Sequence, residues 1–415
     1  MLYHLYEMQR ASLAPMRMFA HSALSLMDVP FNPLRPTPMG RIAVAALDSF
    51  EHSTRSFGKP AFGHTHTMVN GREVRVAEHV IESRTWGDLV HFRRFLDRPY
   101  PESGPDESFG PKVLMVAPMS GHFATLLRGT VEAFLPDHDV YITDWRDARE
   151  VPLIASDFSL DDYVEYVMDF IRLLGPDTHV IAVCQPAVPV LAAVALLNER
   201  EPEAAPRSMT LIGGPIDTRE GPTAVNEFAK RHSMDWFRAN VIHRVPFGNP
   251  GFLRQVYPGF LQLAGFLAMN LDRHMDAHWQ MFLHLVEGDD EPLASKRAFY
   301  GEYRAVMDLN AEFYLQTIEA VFHEHLLPRG LLTFRGAPVD PSANRRTATL
   351  TIEGERDDIS GIGQTRAAHK LMPNLPEAMK QHLEQPSVGH YGLFNGRRFR
   401  TEVAPRIKGF IAEHA

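Results

Sequence analysis

Short apolar runs that alternate with helical stretches limit the fold of this chain more than any other feature. Five such runs are found, at 113–117, 139–143, 180–183, 209–212 and 347–352. Several are separated by segments with a helical spacing of apolar residues, at 125–134, 160–174 and 188–197. Strands that are apolar on both faces are typical of parallel sheets covered by helices on both sides. The pattern therefore predicts an α/β fold with a mostly parallel sheet flanked by helices.

Two regions lie outside this alternation. Apolar residues at helical spacing over 2–28 predict an N-terminal helix, and residues 39–100 predict a second helix and a short strand pair at Asn70-Gly71. The Pro/Gly/Ser-rich stretch 98–111 is typical of a linker. Residues 215–345 contain no convincing strand and are rich in aromatic side chains, which favours a helical cap. The aromatic residues in question are Trp236, Phe237, Phe247, Phe252, Tyr257, Phe260, Phe266, Trp279 and Phe282.

These regions predict a division of the chain into three parts. Residues 1–110 would form a helical extension with lead-in strands, 111–214 and 346–415 the α/β core, and 215–345 the cap. Most of the aromatic side chains in the cap are expected to be ordinary helical core, and the remainder to cover a site.

Composition excludes several classes of function. The chain has 42 basic and 51 acidic residues, a formal net charge of −9, so we expect no nucleic-acid partner. The longest apolar stretch, 256–271, contains proline and glycine and is shorter than the roughly 20 residues that a spanning helix needs. The start lacks the features of a secretory signal, and a single cysteine fits a reducing compartment. These observations favour a cytoplasmic protein without a membrane span.

The only cysteine, Cys184, ends an apolar run and directly precedes a helix pattern. This is the placement of a nucleophile elbow, a sharp strand-to-helix turn that lifts one side chain above the sheet. The outer positions of the G-x-S-x-G frame must be small; here they are Ala182 and Pro186, and proline suits a first helical turn. Cys184 is therefore a candidate nucleophile, with a buried structural cysteine as the alternative.

A candidate acid and a candidate base follow Cys184 in the chain. Asp357 lies five residues after the end of the run 347–352, and His390, flanked by glycines, comes after a strand candidate at 382–385. The order nucleophile, acid, histidine is that of the α/β-hydrolases. Asp358 and Glu355 compete with Asp357 for the orienting role, and Asp357 is preferred from its position in the pattern G-E-x-D.

Backbone amides can supply the oxyanion hole. In α/β-hydrolases one donor follows the nucleophile and the other lies after an early strand. Gln185 takes the first position, and the segment Ala117-Pro-Met-Ser-Gly-His122 takes the second. Met119 and Ser120 remain alternatives for the second donor.

Five segments around these residues form a wider pattern. They are VLMVAPMSGHFATLLRG at 113–129, TDW at 143–145, VCQP at 183–186, EGERDDI at 353–359 and GHYG at 389–392. Together they resemble the intracellular poly(3-hydroxybutyrate), or polyhydroxyalkanoate, depolymerases, which are α/β-hydrolases with a cysteine nucleophile. The resemblance implies that Cys184 is the nucleophile, Asp357 the orienting acid and His390 the base.

The resemblance also implies a substrate and a setting. It predicts an ester hydrolase that acts on amorphous polymer at the surface of cytoplasmic storage granules. The resemblance implies no cofactor and no metal. Coenzyme A is an optional co-substrate, and a homodimer is an optional assembly. Polyhydroxyalkanoate synthases are similar but keep a G-x-C-x-G box, which Ala182 and Pro186 do not match. A synthase and a non-catalytic granule protein of the same fold are the alternatives.

Overall fold

The computed structural model describes residues 2–30, 32–55, 57–95, 110–269 and 301–415. The predicted linker lies mostly outside these residues, as do Trp279 and Phe282.

A nine-stranded sheet forms the centre of the molecule. In chain order its strands are β1 (His66–Val69), β2 (Arg72–Ser83), β3 (Gly87–Phe95), β4 (Lys112–Val116), β5 (Asp139–Trp145), β6 (Thr178–Val183), β7 (Ser208–Ile212), β13 (Ala348–Gly354) and β14 (Lys380–Gln385). Their spatial order is β1-β2-β3-β5-β4-β6-β7-β13-β14. The pairs from β5 to β14 are parallel, and the pairs among β1, β2, β3 and β5 are antiparallel. The predicted α/β fold is confirmed.

The positions of the strands follow from their side chains. All residues of β5, β6, β7 and β13 are buried, as their continuous apolar runs predict for strands covered on both faces. The predicted hairpin at Asn70-Gly71 joins β1 to β2, and both turn residues have positive φ (50° and 77°). Because β1 to β3 pair with the central strands, the sheet extends into the range 1–110.

Helices cover both faces of the sheet and form the N-terminal extension. Their bounds are α1 (Leu2–Met27), α2 (Pro38–Thr54), α3 (Arg128–Phe134), α4 (Leu160–Leu174), α5 (Ala187–Arg200), α6 (Ala224–Arg231), α7 (Met234–Asn240), α8 (Gly259–Met269), α9 (Ala311–Thr317), α10 (Ala368–Leu371), α11 (Gly396–Arg398) and α12 (Ala404–Glu413). A capping box between Ser159 and Asp162 begins α4, and Gly175, with φ 88°, follows its end. Twelve residues of α5 are buried, so this helix packs at the centre of the structure.

The insertion between β7 and β13 differs from the prediction. Besides helices it contains two small antiparallel sheets, one of β8 (His243–Arg244), β9 (Gln255–Tyr257) and β10 (Leu309–Asn310), the other of β11 (Thr333–Phe334) and β12 (Ala337–Pro338). The expectation that 215–345 holds no strand was therefore wrong. Strands of two or three residues are too short to show an alternation in the sequence.

The N-terminal helix is attached to the core at its first turn. The Tyr3 hydroxyl donates a hydrogen bond of 2.6 Å to Asp308 Oδ2, and both residues are buried. Farther along the helix, Met8, Met18 and Phe19 are exposed. Within the described parts of the chain, no helix is both long and apolar enough to cross a membrane.

Candidate active site

Cys184 lies on a strained turn between β6 and α5. Its φ is +68°, a value that residues other than glycine rarely adopt. Its amide donates a hydrogen bond of 2.7 Å to the Ile212 carbonyl. The backbones crowd around this turn: a Cβ on Gly214 would lie 2.1 Å from the Cβ of Ala187. The half-buried Cys184 side chain therefore lies on the predicted elbow, beyond the carboxyl end of a central strand.

His390 and Asp357 lie together at the same edge of the sheet. His390 Nδ1 is 2.7 Å from Asp357 Oδ2, and both side chains are buried. Asp357 Oδ1 accepts hydrogen bonds from the amides of Ile359 (2.9 Å) and Ser360 (2.8 Å). These two bonds fix the carboxylate so that its second oxygen faces the imidazole.

The charges around His390 favour its protonated form. Burial by itself lowers the pKa of His390, but the charges of Asp357 and Cys184 and hydrogen bonds to both raise it well above the usual value. Because Nδ1 faces Asp357, Nε2 is the nitrogen available to Cys184. The arrangement can hold an imidazolium beside a thiolate, which is the reactive form of a cysteine.

The two competing acids lie elsewhere. Asp358 is exposed to solvent, and Glu355 is exposed and accepts a hydrogen bond from the Ser387 amide. Of the three acids that the sequence left as alternatives, only Asp357 contacts His390.

Gly213 is a part of the site that the sequence reasoning missed. It has φ +55°, and a Cβ there would lie 3.1 Å from His390 Cε1 and 3.3 Å from Asp357 Oδ2. The glycine thus leaves room for the Asp357–His390 pair. The pair Gly213-Gly214 directly after an apolar run was the available signal.

Residues 117–122, named the oxyanion loop for the role that the sequence predicts, lie beside Cys184. The first carbonyl of this loop, that of Ala117, accepts hydrogen bonds from Trp145 Nε1 (2.8 Å) and from the Tyr163 hydroxyl (3.0 Å). The Met119 amide donates to Gln185 Oε1 at 3.2 Å, and Gln185 Nε2 is buried without a hydrogen-bond partner among the described residues. The sequence reasoning assigned only the backbone of Gln185, so the contact of its side chain was missed.

A cavity of about 830 Å³ opens in front of Cys184 within the described parts of the chain. It is lined by Cys184, His390, Gln185, Met119 and Ser120, and by aromatic side chains that include Phe228, Phe237, Tyr257, Phe313, Tyr314 and Phe322. Phe237 and Tyr257 were among the predicted cap aromatics, whereas Phe247 is 85% exposed. Phe260 packs instead against Tyr6 of α1, with ring centroids 4.0 Å apart.

The candidate site contains no cluster that suggests a metal. Among the described residues, no group of three or more His, Cys, Asp or Glu side chains could hold a metal ion.

Comparison with known protein families finds a match in the C-terminal part of the chain. Residues 213–415 match the protein family described as "PHB de-polymerase C-terminus", a range that includes Asp357 and His390 and begins after Cys184. No curated protein sequence gives a significant match.

The structural neighbours are distant. BpoC of Mycobacterium tuberculosis is 15% identical with a TM-score of 0.46, over 74% of this chain and 94% of that one. A thermophilic esterase from Thermogutta terrifontis is 14% identical with a TM-score of 0.41, over 85% and 98%. A monoacylglycerol lipase from Paleococcus ferrophilus is 12% identical with a TM-score of 0.42, over 74% and 98%.

The identification of the fold rests on the chain itself. The strand order, the elbow after β6 and the order Cys184, Asp357, His390 are those of the α/β-hydrolases. The chain therefore has the α/β-hydrolase fold, and its residues 213–415 are similar to the C-terminal region of the PHB depolymerases.

Proposed function

We propose that this protein is a depolymerase that cleaves the ester bonds of amorphous poly(3-hydroxybutyrate) through an acyl-cysteine intermediate. The observation that carries the proposal is Cys184 on its strained elbow, beside the hydrogen-bonded pair of His390 and Asp357, in the wall of a largely apolar cavity. The match of residues 213–415 to the PHB depolymerase C-terminus supports the polyester as substrate.

The first half of the reaction forms a thioester. His390 Nε2 takes the proton of the Cys184 thiol, and the sulfur attacks the ester carbonyl carbon. The carbonyl electron pair moves to oxygen, where the Gln185 amide and the amide of Met119 or Ser120 would stabilise the charge. When the tetrahedral intermediate collapses, the ester C–O bond breaks, and His390 protonates the departing hydroxyl end of the polymer.

The second half releases the acyl chain. A water molecule attacks the thioester while His390 removes its proton, and the C–S bond breaks to free the 3-hydroxybutyrate oligomer or monomer. The proton on His390 then returns to the sulfur. If coenzyme A attacks instead of water, its thiol gives the proton and the product is an acyl-CoA.

The cavity suits a hydrophobic polyester better than a charged substrate. Its aromatic lining can cover the methyl and methylene groups of several repeat units; Glu227 and Arg231 of the cap are charged residues of the same lining. We further propose that the protein acts on granules in the cytoplasm. The exposed apolar residues of α1 are compatible with such a surface.

A synthase would pass through the same acyl-cysteine, so the products must distinguish the two reactions. We favour degradation because Ala182 and Pro186 replace the glycines of the synthase box. The experiment incubates the purified protein with amorphous poly(3-hydroxybutyrate), with and without coenzyme A, and identifies the products. A parallel reaction contains 3-hydroxybutyryl-CoA and no polymer.

We expect release of 3-hydroxybutyrate oligomers or monomer from the polymer, and acyl-CoA if the thiol is an acceptor. The matched control is Cys184→Ala, which should release nothing. Polymer growth from 3-hydroxybutyryl-CoA, without release of acids or acyl-CoA in the first reactions, would identify a synthase. Equal release by wild type and Cys184→Ala would refute the acyl-cysteine mechanism.

A further inference from the structure

A strand-like segment of the cap, residues 306–308, connects the N-terminal helix to the oxyanion loop. On one side, the Met307 amide donates to the Gly121 carbonyl at 2.7 Å, and Val306 forms a β-bridge with His122. On the other side, the Asp308 carboxylate accepts the Tyr3 hydroxyl of α1 at 2.6 Å. The two residues that make these contacts, Met307 and Asp308, are adjacent in the segment.

Asp308 is the point at which four parts of the chain meet. Its Oδ1 accepts the amide of Gly259, the first residue of α8, at 2.9 Å. Its own amide donates to Asp147 Oδ1 at 3.1 Å, and its carbonyl accepts the Ala148 amide at 3.0 Å. Among the hydrogen bonds of the described residues, only the one from the Tyr3 hydroxyl reaches Asp308 Oδ2. Asp308 is 5% exposed, so most of its surface is covered by these neighbours.

Other contacts also hold the oxyanion loop on this side, among them His122 Nε2, which lies 3.0 Å from the Tyr303 carbonyl. Gly121 has φ +110°, and a Cβ there would lie 2.4 Å from Gln262 Oε1, so the loop and α8 are in close contact. Gln262 in turn donates to the Tyr257 carbonyl at 3.1 Å. The contact of 306–308 with Gly121 is therefore one of the contacts that place the Met119 and Ser120 amides. Donors displaced by a fraction of an ångström stabilise an oxyanion less well.

We propose that Tyr3 and Asp308 are positioning residues for the oxyanion loop: they fix segment 306–308 against Gly121 and so place the amides that stabilise the tetrahedral intermediate. This role rests on the proposed acyl transfer at Cys184. Through this role the first turn of α1, which is far from Cys184 in sequence, affects the rate of the chemical step.

The surroundings of Asp308 give this connection a pH dependence. Burial raises the pKa of Asp308, whereas the Tyr3 hydroxyl, the Gly259 amide and the charge of Arg149 oppose the rise and Glu7 adds to it. Burial and the charge of Asp308 raise the pKa of Asp147 to about 7. A polar cavity of about 220 Å³ adjoins both carboxylates and gives solvent access; Arg10, Arg55 and Arg304 also line it. Protonation of Asp308 would weaken its bond from Tyr3, because hydrogen bonds to a charged partner are the stronger ones.

The test compares two hydroxyl deletions on the same helix. Tyr3→Phe removes the donor to Asp308. Tyr6→Phe, one turn away, is the matched control, because the Tyr6 hydroxyl makes no hydrogen bond to a described residue and its ring contact with Phe260 is retained. A third variant, Asp308→Asn, keeps an oxygen for the Gly259 amide and removes the titration.

Three measurements are made on each full-length variant. The first is kcat and KM for a soluble p-nitrophenyl ester from pH 5 to pH 9, the second is the rate of Cys184 alkylation by iodoacetamide, and the third is hydrogen–deuterium exchange of peptides covering 118–122 and 184–187.

For Tyr3→Phe we expect kcat to fall about tenfold with KM unchanged, since misplacement of a group by ~1 Å can lower the rate about a hundredfold. The acidic limb of kcat should move to higher pH, and exchange should rise at 118–122 but not at 184–187. The rate of Cys184 alkylation in Tyr3→Phe should equal that of wild type. In Asp308→Asn the acidic limb of the pH profile of kcat should flatten.

The proposal is overturned if Tyr3→Phe matches Tyr6→Phe in kcat, pH profile and exchange. It is also overturned if alkylation and exchange at 184–187 change in parallel with kcat, since that indicates a general loss of structure. Failure of the proposed function looks different: wild type and Cys184→Ala would then be equally inactive on ester and polymer. The exchange at 118–122 in Tyr3→Phe would still decide whether Tyr3 positions the loop.

Discussion

Replacement of Asp357 by asparagine tests the assignment of the site most sharply, because the change keeps the shape of the side chain. The Oδ1 atom of the introduced asparagine can still accept the amides of Ile359 and Ser360, which lie 2.9 and 2.8 Å from the aspartate oxygen. Its NH2 group would then occupy the position of the aspartate Oδ2, which lies 2.7 Å from His390 Nδ1. A donor at that position forces Nδ1 to be an acceptor, so the proton of the neutral imidazole moves to Nε2.

In this tautomer His390 presents a donor to Cys184 and cannot take its proton. The equivalent change in a serine triad lowers kcat about 10⁴-fold. At about 1.36 kcal/mol for each factor of ten, this corresponds to a rise of ~5.5 kcal/mol in the activation free energy. Loss of the Asp357 charge also removes the first of the interactions that raise the pKa of His390. The imidazolium–thiolate pair should therefore be lost at a lower pH than in wild type.

The assay measures kcat on a soluble 3-hydroxybutyrate oligomer and the pH dependence of Cys184 alkylation by iodoacetamide. Asp358→Asn is the matched control, since Asp358 is adjacent in sequence but exposed. We expect near wild-type values for the control and unchanged thermal unfolding for both variants. A loss of less than tenfold in Asp357→Asn, or a greater loss in Asp358→Asn, would refute the reasoning.

Three further changes test the site and its supports. Cys184→Ser should lose most turnover, because a hydroxyl is a far weaker acid than a thiol; the progress of polymer hydrolysis measures this, and activity close to wild type would contradict the assignment of Cys184 as nucleophile. Gly214→Ala should destabilise the elbow by ~1–3 kcal/mol through the clash with Ala187, measured by urea unfolding, whereas Gly409→Ala, with open space around it, should not lower stability. Asp147→Asn should stabilise the protein more at pH 7 than at pH 5. A carboxyl whose folded pKa, about 7, lies above its unfolded pKa costs stability as pH rises between the two values, and the cost is constant above the folded pKa. A gain that is independent of pH would contradict the last of these.

The sequence predicted the sheet and the order of the candidate site residues because both have local signals. Buried parallel strands appear as continuous apolar runs, and β6 and β7 lie where these runs predict. The elbow is likewise local, since the strand, Cys184 and the helix follow one another directly. The position of Asp357 could be predicted because parallel strands end at one edge of the sheet.

What the sequence did not predict depends on contacts between distant residues. The short strands of the cap exist only because they pair with each other, as β9 does with β10. Tyr3 and Asp308 are 305 residues apart, and neither lies in a recognisable motif. The Gln185 side chain was missed because its partner, the Met119 amide, is fixed by the packing of two loops. Such contacts follow from the assembled fold and have no periodicity in the chain.

The cap contacts both the cavity and the oxyanion loop. Its helices and strands supply aromatic lining such as Phe237 and Phe313. The same insertion contacts the oxyanion loop, through Met307 at Gly121 and through Gln262. In an enzyme whose cap only binds substrate, a shift of the cap changes KM. The proposed acyl transfer implies that a shift of this cap also moves the backbone amides beside Cys184, so that kcat changes with it. Substrate in the cavity would then contact a structure whose position also affects how well the tetrahedral intermediate is stabilised.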